Sequence, residues 1–160
     1  MMETCKECLV ALLREKGLHV STAESCTGGL IAAAIVDVSG ASNVFEEGYV
    51  TYSDKVKEKL LGVLPETIEA HTVVSAEVAK EMALGTWKRT ESELTVSVTG
   101  CAGPGDAEDG TKAGTVYIGT CFLGDARARG FVFDGDRMQV REQSVAEALK
   151  FALERVQNGE

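Results

Sequence analysis

The sequence predicts an α/β protein, a single three-layer α/β/α sandwich built on a mixed β-sheet. Three observations carry this expectation. Strand-like and helix-like segments alternate over the first two thirds of the 160-residue chain, the pattern of parallel strands joined by crossover helices. Two further strand-like runs meet at Gly124-Asp125 and read as a hairpin, which makes the sheet mixed. No repeat, low-complexity tract or linker divides the chain, and its length suits one well-cored domain, residues 1–160, rather than two.

The elements follow in order. Cys8, Leu9, Leu12 and Leu13 form a helical stripe within Cys5 to Lys16, and Gly17 ends it. Leu18 to Thr22 is rich in β-branched residues and reads as a strand. Leu30 to Val36 reads as a helix that is apolar all round and therefore buried. Val38 to Asn43 is a turn cluster of small polar residues. Gly48 to Tyr52 reads as the second strand, and a helix from about Asp54 to Leu61 is closed by Gly62. Pro65 to Ala70 suits a short helix with proline in its first turn, and Ser75 is the N-cap of a long helix from Ala76 to Arg89. Leu94 to Thr99 is a buried strand that runs into a glycine-rich loop ending near Asp106. Gly114 to Phe122 and Arg129 to Phe133 are the hairpin strands, and Asp136 caps a last helix that ends near Val156.

Composition excludes several classes of function. A net charge of −9 argues against nucleic acid or an anionic membrane as a partner, so any phosphate site must be local. No apolar run approaches the roughly 20 residues needed to cross a bilayer, and the first residues do not resemble a secretory signal. A cytoplasmic protein is the expectation. Five cysteines scattered as Cys5, Cys8, Cys26, Cys101 and Cys121 fit free thiols in a reducing compartment. Cys5-x-x-Cys8 lies in a helical pattern without a second pair, and His19 and His71 are the only histidines, so neither a metal nor a cofactor is expected.

Chemistry concentrates at three places. Ser25 stands at the joint between the first strand and the apolar helix, where open α/β folds bind ligands and a helix start favours negative charge. It reads equally as a nucleophile or as a helix N-cap. In the helix after Tyr52, at about 100° per residue, Val56, Leu60, Leu61 and Leu64 define an apolar face with Lys57 inside its arc, while Lys55 and Lys59 lie opposite. A lysine drawn to an apolar face loses hydration and proton affinity, and becomes a general base; alternatively its stem lies along the core and its head reaches water. No Ser-His-Asp triad is credible, which leaves a Ser25/Lys57 pair with the Tyr52 hydroxyl able to pass the proton between them. In the loop from Thr99 to Asp106, Gly100, Gly103 and Gly105 permit close backbone approach to a ligand. Arg137 and Arg141, four apart on the last helix, form a possible phosphate clamp or pair within the helix with acidic neighbours.

Taken together, Ala23-Glu24-Ser25-Cys26-Thr27-Gly28-Gly29, Gly48-Tyr49-Val50-Thr51-Tyr52-Ser53 with Lys57, Leu61-Gly62-Val63, Val74-Ser75, Thr99-Gly100-Cys101-Ala102-Gly103-Pro104, Gly114-Thr115-Val116, and Gly135-Asp136-Arg137 with Arg141 resemble the CinA C-terminal domain family. Its enzymatically defined members are nicotinamide-nucleotide amidases of the PncC type. The resemblance spans nearly the whole chain and implies an α/β/α fold that hydrolyses the carboxamide of nicotinamide mononucleotide without a metal. By position it implies Ser25 as nucleophile, Lys57 as base and Tyr52 as the associated tyrosine. Amides around Thr27, Gly28 and Gly29 and in the loop of Thr99, Gly100 and Gly103 would hold the oxyanion or substrate, with Arg137 and Arg141 toward the phosphate. Asp54 stands where the family commonly has asparagine, Cys101 where it has an aliphatic residue, and Lys112 lacks the usual following proline. These departures touch loops around the site and bear on substrate range. Two other readings compete: a non-catalytic nucleotide-binding regulatory module of the competence/damage-inducible type, and a hydrolase of another small amide or ester. The resemblance further implies a stand-alone form of the domain that self-associates as a dimer or higher homo-oligomer.

Overall fold

The computed structural model describes residues 4–160. Its helices are α1 (Cys5–Lys16), α2 (Leu30–Val36), α3 (Asp54–Leu61), α4 (Pro65–His71), α5 (Ala76–Arg89) and α6 (Arg137–Asn158). The strands are β1 (Val20–Glu24), β2 (Phe45–Val50), β3 (Leu94–Gly100), β4 (Thr115–Phe122) and β5 (Asp125–Val132). They form one sheet of order β2-β1-β3-β4-β5, in which β1 runs parallel to both β2 and β3 while β4 and β5 are antiparallel to their neighbours. Helices α1, α2 and α6 pack together on one face and α3, α4 and α5 on the other. The mixed three-layer α/β/α sandwich is therefore the observed fold.

Period-two patterning in β3 explains why the two faces differ. Leu94, Val96 and Val98 point into the larger core, with Leu9, Leu13, Ile31, Ile35 and Phe151. Thr95, Ser97 and Thr99 point the opposite way, and their hydroxyls donate to the carbonyls of Ala83 (2.7 Å), Ala79 (2.6 Å) and Val73 (3.0 Å). The α5 side is thus held by side-chain to backbone bonds as well as by a small core of Ala23, Leu61, Val63, Val78 and Met82. Buried hydroxyls are tolerated there because each has an acceptor.

Local chemistry sets the boundaries. Thr4 and Glu7 make a capping box at α1, and Asp136 and Gln139 make one at α6. Ser53 caps α3, which Gly62 ends in a left-handed conformation. The hairpin turns on Leu123 and Gly124, both at positive φ, because Phe122 pairs directly with Asp125.

Several sequence expectations shift. The first strand begins at Val20 rather than Leu18, so Glu24 ends it and Ser25 follows immediately. The second runs over Phe45–Val50 and so takes in Glu46 and Glu47, and the last extends back to Asp125 with Arg127 and Arg129 in it. Both are edge strands, and charges are natural where one rim meets solvent. Helix α2 is only partly buried: Ile31 and Ile35 face the core while Ala33 and Val36 are exposed. Its apolar composition hid an ordinary one-sided helix. Ala41–Asn43, expected as a turn, forms a short 3-10 helix, and His71 belongs to the end of α4 rather than to a loop. Among the described residues, no helix is long and apolar enough to cross a membrane.

The seat of α3 on α5 depends on a missing side chain. A Cβ on Gly85 would lie 1.8 Å from the carbonyl oxygen of Leu61, so the C-terminal turn of α3 rests directly on the α5 backbone. Glycine to alanine inside a helix ordinarily stabilises by about 1 kcal/mol. Here Gly85→Ala is expected to destabilise by about 1–3 kcal/mol instead, because overpacking must separate the helices. Urea titration of the two proteins measures the sign.

Candidate active site

Strand β1 delivers Ser25 to the carboxyl end of the sheet, and a tight turn then reverses into α2. The Ser25 amide donates to the Val98 carbonyl at 3.1 Å, and its own carbonyl accepts from the Gly28 amide at 3.0 Å. Gly28 and Gly29 adopt φ of 57° and 106°, a region that residues with a Cβ rarely enter. The cap of α2 is not Ser25. Gly29 occupies the N-cap position without a side-chain bond, and the buried carboxylate of Glu24 reaches across instead. Its Oε1 accepts from Ile31 N at 2.8 Å and from Thr27 Oγ1 at 2.6 Å, and its Oε2 accepts from Ala32 N at 3.1 Å. Glu24 therefore uses the positive end of the helix that the sequence reading offered to substrate. Reading Glu24 only as part of a motif missed this role; an acid six residues before the first residue of a helix gives no ordinary capping signal.

The second side chain arrives from α3. Lys57 is 1 % exposed, and its Nζ lies 3.0 Å from Ser25 Oγ and 3.2 Å from the Tyr52 carbonyl oxygen. The helix buries Lys57 and Leu61, one turn apart, whereas Val56 and Leu64 are exposed. Lys57 lies on the inward face, as its place in the helical arc predicts, but that inward stripe is narrower than the expected apolar arc. Desolvation lowers the pKa of Lys57 below its ordinary 10.5, opposed by the charge of Asp54 and a smaller contribution from Cys26. Burial pushes the neighbouring Cys26 thiol up to about 11, so it stays protonated at neutral pH and does not compete as a nucleophile.

Lys57 contacts Ser25 directly, and the Tyr52 hydroxyl, rather than standing between them, accepts from Arg137 Nη2 at 3.0 Å. Its backbone carbonyl, not its phenol, touches Lys57. The two histidines stand apart from this site: His19 pairs with Glu46 and Glu93 before the start of β1, and His71 with Glu77.

Ser25 and Lys57 open on a cavity of about 350 Å³, within the range of small-ligand pockets. Tyr52, Thr99, Gly100, Gly103 and Arg137 line it too, as do Cys26 and Cys101. Thr27, Gly28, Gly29 and Arg141, expected to meet substrate, are not among the lining residues. The Thr27 hydroxyl is bound to Glu24, and Arg141 donates to the carbonyls of Cys26 at 2.9 Å and Thr27 at 3.3 Å. Arg141 thus clamps the serine turn from behind. The pair of arginines divides: only Arg137 borders the cavity, bridging Tyr52 to the Gly103 carbonyl at 2.6 Å. Cys101 Sγ turns toward the carbonyl of Gly105 at 3.7 Å. Asp54 and Asp109 also line the cavity and were missed; the departure from asparagine at Asp54 was the available signal.

The CinA C-terminal domain model matches residues 2–156. A putative competence-damage inducible protein of Caldicellulosiruptor saccharolyticus is 46 % identical over 147 residues, 92 % of this chain and 36 % of that protein. A CinA-like protein of Chlorobaculum tepidum is 46 % identical over 162 residues, 98 % of this chain and 38 % of its own length. The chain thus spans just over a third of the curated relatives it matches. Among solved structures, a CinA superfamily protein of Klebsiella pneumoniae aligns with a TM-score of 0.93 at 33 % identity, covering 96 % of both chains. A competence or damage-inducible protein of Enterobacter asburiae aligns at 0.92 and 34 % identity, covering 97 % of this chain and 99 % of that one.

Burying Lys57 has a consequence for stability. Its folded pKa lies below the unfolded value, so the unfolded state holds more protons between the two and wild-type stability rises with pH across that window. Replacement by an uncharged side chain removes the penalty. Lys57→Met is expected to unfold at higher denaturant concentration than wild type at pH 7, with the difference shrinking as the pH approaches 10.5. A pH series of denaturant midpoints follows that convergence.

Proposed function

Because the chain belongs to the CinA C-terminal domain family, we propose that it is an amidohydrolase that converts nicotinamide mononucleotide to nicotinic acid mononucleotide and ammonia. We place it in pyridine-nucleotide recycling in the cytoplasm. The observation that carries this reading is the 3.0 Å contact between a desolvated lysine and a serine at a ligand-sized cavity. A serine hydroxyl is a weak nucleophile until a neighbouring base takes its proton, and a lysine with lowered proton affinity is such a base.

The reaction follows from the two side chains. Neutral Lys57 removes the Ser25 proton as Oγ bonds to the carboxamide carbon, and the carbonyl electron pair moves onto oxygen. Cys26, Gly103 and Gly105 line the cavity, and their backbone amides are the donors we assign to that oxyanion. Collapse of the adduct breaks the C–N bond, and the Lys57 ammonium returns its proton to the departing nitrogen, which leaves as ammonia. Lys57 then takes a proton from water while the water oxygen attacks the acyl carbon. Ser25 Oγ departs, recovers the proton, and the acid is released.

Arg137 is the cation for the phosphate. Among the described residues its exposed guanidinium bonds only to neutral oxygens, those of Gly103 and Tyr52, which a phosphate displaces as the stronger, charge-assisted partner.

Purified protein is expected to release ammonia from nicotinamide mononucleotide. Lys57→Ala lowers kcat by about 10²- to 10⁴-fold, the usual worth of a general base, and folded Ser25→Ala abolishes acyl-enzyme formation. Full activity in Ser25→Ala rejects the mechanism; nucleotide binding without hydrolysis in the wild type points to the regulatory module instead.

The two arginines are separable by substrate. Arg137→Ala is expected to raise KM for the mononucleotide while leaving that for the phosphate-free riboside unchanged. Arg141→Ala is expected to lower kcat for both, since it loosens the serine turn. Steady-state kinetics on the substrate pair tells them apart.

A further inference from the structure

Four ionisable side chains border the cavity besides the two thiols and Tyr52: Lys57 and Arg137, and the carboxylates of Asp54 and Asp109. Their engagements differ. Arg137 is tied to Tyr52 and Gly103, and Asp109 accepts the Thr111 amide at 2.9 Å. The Asp54 carboxylate has no hydrogen-bond or ion-pair partner among the described residues, although it lies in the first turn of α3 just ahead of Lys57. In its working form Lys57 is a neutral amine. The α3 wall of the cavity then carries the unpaired negative charge of Asp54.

We propose that Asp54 reads the positive charge of a pyridinium ring, so that this cavity selects the oxidised, cationic nucleotide over its reduced, neutral dihydropyridine form. The inference rests on the amidase reading for the substrate but on the position of Asp54 for the selection. A carboxamide held for attack by Ser25 is bonded directly to the ring, so the ring lies within a few ångströms of the serine and of the α3 wall. The phosphate at the opposite end of the same molecule is drawn to Arg137. A zwitterionic ligand thus finds a free carboxylate for its ring and a guanidinium for its phosphate in one cavity. Asp54 is solvent-exposed, and screening keeps the effect modest. Asparagine would keep the shape and remove the charge.

The test uses Ser25→Ala protein, in which binding is measured without turnover. Calorimetry with nicotinamide mononucleotide and with its reduced form gives a ratio of dissociation constants. Adding Asp54→Asn is expected to lower the preference for the cation by about two- to fivefold, the worth of one exposed charge pair. Asp54→Glu is expected to keep most of that preference. An unchanged ratio in Asp54→Asn overturns the proposal, as does failure of both nucleotides to bind. In otherwise wild-type protein Asp54→Asn is also expected to move the acidic limb of kcat to lower pH, since Asp54 raises the proton affinity of Lys57. A shifted binding ratio in a protein that releases no ammonia retains the charge selection and rejects the amidase.

Discussion

One buried carboxylate holds the region on which everything else at this site depends. Glu24 ends β1, and its side chain binds the hydroxyl of Thr27 and the first free amides of α2. Its backbone carbonyl accepts the Thr51 amide at 2.9 Å, which fixes the chain just before Tyr52. A single residue thus ties the nucleophile's turn, the following helix and the segment leading to the lysine helix. An uncompensated charge at 1 % exposure would be costly. The hydroxyl and the two amides at the helix start supply the compensation, because helix N-termini carry unsatisfied donors and partial positive charge. The helix end is consumed in building the site and is not left over for a ligand.

The same logic explains why Lys57 is buried although burial opposes its charge. Helix α3 is short and mostly exposed; Leu61 and the close contact of its last turn with Gly85 hold it to the body of the protein. Lys57 lies one turn before Leu61, so the anchoring of Leu61 carries the lysine inward toward Ser25. Two acceptors await the amine, a hydroxyl and a carbonyl, and neither is a carboxylate. An ion pair in that position would favour the ammonium and suppress its use as a base. Stability is given up locally so that an amine of lowered proton affinity stands beside a hydroxyl.

Legibility in the sequence followed how local each signal was. The bounds of α1, α2, α3 and α5 were readable because caps, glycines and apolar spacing lie within each segment. Edge strands were read less well, since the charges in β2 and β5 reflect exposure that only the sheet order explains. At the site, the helical position of Lys57 and the absence of an alternative base pointed to the pair before any distance was known. The roles of Glu24 and Arg141 were not legible, because each depends on a side chain reaching a backbone group across the fold. Arg141 is more than a hundred residues from the carbonyls it binds. Spacing on one helix grouped it with Arg137, yet a four-residue step advances the chain about 6 Å along the axis, enough to set one guanidinium at the cavity and the other behind the turn.

Topology accounts for the place where these parts meet. From β1 the chain passes through α2, on one face, to β2 at the sheet edge; from β2 it returns through α3, α4 and α5, on the other face, to β3 on the far side of β1. The connections leave opposite sides of β1, so a crevice opens beyond the carboxyl ends of β1 and β3, the switch point at which open α/β sheets bind ligands. Ser25 follows β1 and Gly100 ends β3, and both border the cavity. Lys57 comes from the first helix of the returning connection, which must begin near the carboxyl end of β2 and therefore beside Ser25. The antiparallel pair β4 and β5 lets α6 start on the same rim, because β5 runs back toward the end of the sheet where the glycine loop lies. Arg137, first residue of that helix, can then reach Gly103. A serine, a lysine and an arginine far apart in the chain thus converge through strand order and strand direction.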